Sequence, residues 1–172
     1  MGKKRIMCLI YAVILLVAPM KVSAYELSQT TNNMQEEETD IKILTSAEAE
    51  RLYYELTSND GIQLYSDLGL CEICISKSDG RLLVVYSTSC RGVASKIGVR
   101  NMTLQQKKGL KWKDLVIRSE YSENTDAYFG GFIVEKPEVG EKYRVKGTHY
   151  VVKDSVETSR YAETDTYTMP AN

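Results

Sequence analysis

The chain has a single histidine, His149, in 172 residues. A Ser-His-Asp or Cys-His site needs that imidazole, and a zinc site usually needs more than one. One histidine therefore removes most hydrolase and metalloenzyme classes. Cysteine is sparse too. Of the four, two form the motif Cys71-Glu72-Ile73-Cys74, and no second such pair exists to complete a zinc site. There is no excess of basic charge: 22 Lys and Arg stand against 23 Asp and Glu. A nucleic-acid binder needs a basic face to displace phosphate counterions, so that class is excluded. No phosphate loop, nucleophile elbow or paired catalytic carboxylate stands out, and neither a repeat nor a βαβ alternation is present. These gaps imply no cofactor, no metal and no enzymatic activity.

What is present begins with an export pattern. Lys3, Lys4 and Arg5 precede an uncharged apolar stretch over residues 6–18. Pro19 follows, then Lys21-Val22-Ser23-Ala24. Positive, apolar, then small residues is the order of a secretory signal. The apolar part is shorter than the ~20 residues that cross a bilayer comfortably. A signal peptide is therefore expected over residues 1–24, with a secreted, extracellular product. Membrane association is expected only if the segment is retained. Tyr25, not a cysteine, directly follows Ala24, so no residue there can carry a lipid.

Cleavage after Ala24 removes four of the 22 basic residues and none of the 23 acids, which leaves a balance of −5. Residues 25–67 hold ten acids and two basic residues, whereas residues 68–172 carry a net +3. Residues 25–44 are acidic and poor in periodic apolar positions. They cannot bury enough surface to offset their ordering entropy, so a disordered acidic leader is expected there. Thr45-Ser46-Ala47-Glu48 reads as a capping box. Ala49, Leu52, Tyr53 and Leu56 then lie on one helical stripe, which predicts a short amphipathic helix over residues 45–58.

From residue 70 the apolar period becomes two. Cys71, Ile73 and Ile75 share a face, Asp79-Gly80 signals a type I′ hairpin, and Leu82–Thr88 returns as a central strand. Further strands are predicted over Val93–Gln105, with a bulge near Arg100-Asn101, and around Leu110–Ile117. Others follow over Tyr128–Val134, Glu141–Lys153 and Val156–Thr168, and Ser122–Asp126 reads as a polar turn. Seven short strands between regular turns predict an all-β two-sheet sandwich over residues 68–170.

Val139-Gly140-Glu141-Lys142-Tyr143-Arg144-Val145 resembles the tyrosine corner of immunoglobulin-like and fibronectin type III-like sandwiches. The resemblance implies that the Tyr143 hydroxyl bonds back to backbone just upstream. More widely, the hairpin from Ile73 through Asp79-Gly80 to Tyr86 leads to Met102–Lys107, then Leu110-Lys111-Trp112-Lys113-Asp114, then Tyr143–His149. That succession, over about residues 70–169, is similar to a family of uncharacterised small secreted proteins of Gram-positive bacteria. It implies a fold and a compartment but no activity. Trp112 departs from the fibronectin pattern, in which the core Trp lies in an early strand.

His149 falls in a strand, where a local hydrogen bond is its expected role. Cys71 and Cys74 lie on opposite faces of one strand, unlike a redox pair that opens a helix. If Asp79-Gly80 is a two-residue turn, Cys71 opposes Thr88 and Cys90 lies diagonal to Cys71, about 7–8 Å away. A Cys71–Cys90 disulfide is therefore favoured, with Cys74 left over. Glu123, Asn124 and Asp126 lack the glycine and terminal acid of an EF-hand and read as a solvated turn. Tyrosine is abundant, with twelve in the chain. Tyr128, Tyr150 and Tyr161 are the candidates for a binding surface, since tyrosine is large, rigid and able to hydrogen-bond. The expected function is a secreted or surface-exposed, non-enzymatic binding or adhesion module for a protein or glycan outside the cell. The alternative is a secreted inhibitor or immunity-type protein that docks one enzyme through a protruding loop at Gly92–Ser95 or Ser122–Asp126.

Overall fold

The computed structural model describes residues 40–57 and 68–171. The expected signal peptide (1–24) and residues 25–39 of the expected leader lie outside the described residues. In chain order the elements are β1 (Ile41–Ile43), α1 (Ser46–Thr57), β2 (Leu68–Ser78), β3 (Arg81–Lys108), β4 (Lys111–Val134), β5 (Lys142–Lys153), β6 (Val156–Glu163) and β7 (Tyr167–Thr168).

The expected disordered leader ends too late by four residues. Ile41, Lys42 and Ile43 pair antiparallel with Val134, Ile133 and Phe132, and Leu44 is buried. Three apolar side chains in four residues, set against an open strand edge, recover the ordering entropy that the acidic run cannot. The helix follows with a reciprocal cap. The Thr45 N–H donates to Glu48 Oε2 at 2.9 Å, and the Glu48 N–H donates to Thr45 Oγ1 at 3.3 Å. Ala49 and Tyr53 on the apolar stripe are buried against Leu83, Val85 and Ile133 of the sheet.

Among the described residues all seven strands belong to one antiparallel sheet, in the order β1-β4-β3-β5-β6, with β2 also on β3 and β7 on β5. The all-β class is thus present, but one continuous sheet replaces the two separate ones expected. The cause lies in two long strands. The expected strands Leu82–Thr88 and Val93–Gln105 lie in one strand, β3, and those around Lys111–Ile117 and Tyr128–Val134 in another, β4, with Leu110 in the turn between them. The register slips between Ser89 and Ala94, where Gly92 takes φ 71° and Asn124 on the facing strand takes φ 53°. A bulge of this kind bends the strand without ending it. The polar residues of Ser122–Asp126 therefore mark a bend inside β4 rather than a turn.

The bend divides the sheet into two halves that face each other. In the first half, Arg81–Cys90 is flanked by β2 and by the end of β4. In the second, Ala94–Lys108 is flanked by the start of β4 and by β5. Leu82, Val84, Tyr86 and Phe132 of the first half join Ile97, Val99, Leu104, Val145 and Val151 of the second in one buried cluster. A second slip between Val99 and Met102, at Asn101 with φ 51°, shifts the phase so that Met102 and Leu104 still point inward. The interior is thus sandwich-like although the hydrogen bonding is continuous. Asp79-Gly80 makes the predicted tight turn, with φ 51° and 78° and Ser78 opposite Arg81.

Phe132 is fully buried where the two halves meet. Phe132→Ala is expected to cost about 3–5 kcal/mol of unfolding free energy, and Thr45→Ala about 1 kcal/mol. Denaturant titration followed by circular dichroism measures both.

Candidate functional site

The sequence-derived candidates separate sharply by depth. Tyr128 and Tyr150 are buried, whereas Tyr161 is 59% exposed, so two of the three residues expected on a binding surface are not on one. Tyr128 points into the core because strand parity places it with Phe132 and Val134. Its hydroxyl donates to Glu120 Oε2 at 2.5 Å, and the Tyr86 hydroxyl donates to the same oxygen at 3.3 Å. Arg118 holds the other oxygen of that carboxylate. Burial, then the charged neighbours, raise both phenols well above their ordinary value. Gly130 makes room for the pair, since a Cβ there would lie 2.5 Å from the Tyr86 ring and 2.6 Å from the Tyr128 hydroxyl. Tyr150 faces outward but is covered by the Arg100 guanidinium, 4.4 Å from its ring centre.

The expected Cys71–Cys90 disulfide is absent. Cys71 does oppose Thr88, but a bulge between Leu68 and Cys71 sets Leu68 opposite Cys90. Diagonal neighbours stand ~7–8 Å apart, at or beyond the ~7 Å limit for bridging Cα atoms. The Cys90 thiol turns instead to the Gly92 carbonyl at 3.1 Å. Burial pushes Cys71 up to about 11 and also raises Cys74. Both are therefore neutral thiols rather than nucleophilic thiolates.

His149 is fully buried between the halves. Its Nδ1 lies 2.7 Å from Thr88 Oγ1, and the Thr88 hydroxyl donates to the Gly98 carbonyl at 3.3 Å. Nε2 of the ring has no hydrogen-bond partner. The Tyr143 hydroxyl accepts the Glu138 N–H at 2.9 Å and an amide hydrogen of Gln106 at 3.2 Å. The first of these is a bond to backbone five residues upstream.

The outward face of the second half carries a different chemistry, and strand parity creates it. Residues alternating with the inward set bring Trp112, Asp114, Gln105, Arg144, Tyr161 and Glu163 to one side of four adjacent strands. Gln105 Nε2 donates to Asp114 at 2.5 Å, and Arg144 Nε donates to Gln105 Oε1 at 2.8 Å. Arg144 also donates to Glu163 Oε1 at 2.6 Å, and the Tyr161 hydroxyl donates to Glu163 Oε2 at 2.6 Å. The Arg144 guanidinium lies 4.3 Å over the Trp112 ring. Farther along the face, Lys96 Nζ sits 3.7 Å over Tyr121, which is 51% exposed. Tyr121 and Tyr161 are three strands apart, about 14 Å at the usual spacing. Sequence reasoning missed Tyr121, Trp112 and Arg144 as one set, because an unbroken period of two puts Trp112 and Tyr121 on opposite faces and only the register slip between Leu104 and Gln105 aligns them.

No family model, curated protein or solved structure matches this chain. The site is therefore read from its own geometry. A groove of about 460 Å³ runs beside β2 and is lined by Leu56, Ile73, Cys74, Ile75 and Tyr167, with Asp165 as its charged group. It brings no set of titratable groups together. Among the described residues no cluster of His, Cys, Asp and Glu is placed to hold a metal ion.

Burial, with a smaller contribution from Arg160, lowers His149 from 6.5 to about 4. The unfolded chain takes up a proton near pH 6.5 that the folded chain refuses until about 4. The stability from the neutral ring is therefore fully present above pH 6.5 and lost as pH falls towards 4, by about 3 kcal/mol in all. His149→Leu should flatten the stability curve in that window, measured by urea titration at a series of pH values.

Proposed function

We propose that this chain is a non-enzymatic binding module that works outside the cell and takes a protein or glycan on the outer face of its second half-sheet. One observation carries the proposal. Tyr121, Trp112 and Tyr161 stand on a single face, with Arg144, Gln105, Asp114 and Glu163 joined in a hydrogen-bonded chain across four strands. Aromatic rings set in place by a fixed polar network give contact area with little ordering cost on binding. Carboxylates and a guanidinium beside them suit hydroxyl-rich or polar partners.

Other features support the reading. The one imidazole is sealed from solvent, so it reaches no substrate, and the part-buried thiols are held protonated. The cationic, apolar and small-residue order of residues 1–24 supports export. The backbone bond to the Tyr143 hydroxyl supports kinship with immunoglobulin-like and fibronectin type III-like sandwiches, and with it the secreted Gram-positive family. An inhibitor that docks one enzyme is less well supported. Both segments offered as its protruding loop, Gly92–Ser95 and Ser122–Asp126, lie inside β3 and β4.

A screen of the full chain against cell-wall polymers, glycans and host proteins tests the proposal. Tyr161→Ala and Tyr121→Ala should each weaken the interaction by about 1–2 kcal/mol, whereas Arg51→Ala on the helix surface should leave it unchanged. Isothermal titration of any ligand found measures the difference. Equal affinity of the double tyrosine variant and the native chain would remove this face from consideration.

A further inference from the structure

A second surface, at one end of the molecule, is built differently. The turn between β3 and β4 is Gly109-Leu110, closed by Lys108 opposite Lys111. Leu110 at its apex is 99% exposed. Beside it lies the turn that precedes β5, where Val139 is 61% exposed. The turns are tied together: Lys108 Nζ meets both Glu138 carboxylate oxygens, at 2.6 and 2.7 Å. The Glu138 N–H is held by Tyr143, and the Gly140 N–H donates to the Met169 carbonyl at 2.8 Å. Between the turns is a cleft of about 260 Å³ lined by Lys107, Gly109, Gly140, Glu141 and Lys142.

Turn apices normally carry polar residues or glycine, because nothing covers them. Here two apolar side chains project from two braced turns. Behind them stand Lys107, Lys108, Lys111, Lys113 and Lys142, against Asp114, Glu138 and Glu141. Glu138 is engaged by Lys108, and Asp114 accepts from Gln105. Lys108 and Lys111 close the Leu110 turn, while Lys107 and Lys142 lie at the adjoining edge of the flat face beside Trp112 and Arg144, so the excess of positive charge borders the apolar apex.

We infer that this end docks reversibly on an anionic membrane surface, with Leu110 and Val139 entering the headgroup boundary and the lysines meeting lipid phosphates. A soluble polyanion would account for the lysines but gives no use to an exposed leucine at the apex. A bilayer uses both, since lysine stems lie along apolar surface while their ammonium groups reach the phosphates. Apolar insertion and a basic cluster together give membrane attachment that neither gives alone. The inference goes beyond the binding-module reading and stands or falls separately, because the residues differ from Tyr121 and Tyr161.

Trp112 is the only tryptophan in the chain and lies two residues from Leu110, so its fluorescence reports on this end. Residues 1–24 contain no tryptophan, and an apolar segment there can hold the chain at a vesicle without giving this signal. The full chain is mixed with vesicles of equimolar phosphatidylcholine and phosphatidylglycerol, or of phosphatidylcholine alone, each carrying brominated acyl chains. Quenching of Trp112 is expected in the anionic vesicles only, and molar salt should reverse it. Leu110→Asp should abolish it. The Lys107→Glu/Lys111→Glu pair should weaken partitioning by about tenfold or more. Circular dichroism checks that each variant is folded. Absence of quenching in anionic vesicles overturns the inference, as does equal quenching in neutral ones. Quenching that survives Leu110→Asp in a folded protein overturns it too.

Discussion

The structure depends on one constraint: β3 and β4 bend together without breaking their pairing. Between Ser89 and Ala94 the register slips, and positive φ at Gly92 and Asn124 turns the ribbon back on itself. Without that bend the sheet would expose an apolar face on both halves. With it, Val84, Tyr86 and Phe132 close on Ile97, Leu104 and Val145. The further slip at Asn101 keeps the apolar set inward after the bend, because a one-residue change of phase otherwise exchanges the two faces of a strand.

Closure also sorts the polar chemistry. Inward-facing polar groups are spent on structure: His149 on Thr88, Tyr86 and Tyr128 on Glu120. Each of these side chains has found a partner, as burial demands, although His149 Nε2 is left without one. The outward residues of the same strands carry the cross-strand chain from Asp114 to Tyr161. Where the ribbon ends, at Gly109-Leu110 and Val139-Gly140, the braced turns gather lysines around two exposed apolar side chains. Interior, outer face and tip are thus three products of one folded ribbon, and the latter two are open to a partner.

Much of this was legible in the sequence. The Asp79-Gly80 turn, the bulge near Asn101 and the capping box at Thr45 rest on local chemistry, and each occurs where that chemistry placed it. The division into strands was not legible, because the polar residues of Ser122–Asp126 resemble a turn when the bent strand opposite is unseen. Burial of Tyr128 and Tyr150 was missed for a related reason. Strand parity tells which residues share a face but not which face is covered, and Tyr150 is covered by an arginine from the neighbouring strand. The Cys71–Cys90 pairing failed because the register, though correct, leaves the two as diagonal neighbours too far apart to bridge, and the Cys90 thiol turns to the Gly92 carbonyl. The acidic leader was carried into Ile41–Leu44 because a three-residue strand has no period of its own and is defined only by the edge it joins.

Closure of the two halves is tested most directly at the contact between Thr88 and His149, which lie on opposite sides of the bend. Proton NMR of the folded chain should show nuclear Overhauser cross-peaks between the Thr88 side chain and the single imidazole ring. An imidazole that shows no such contact and exchanges freely with solvent would contradict the folded ribbon, and with it the assignment of inner and outer faces.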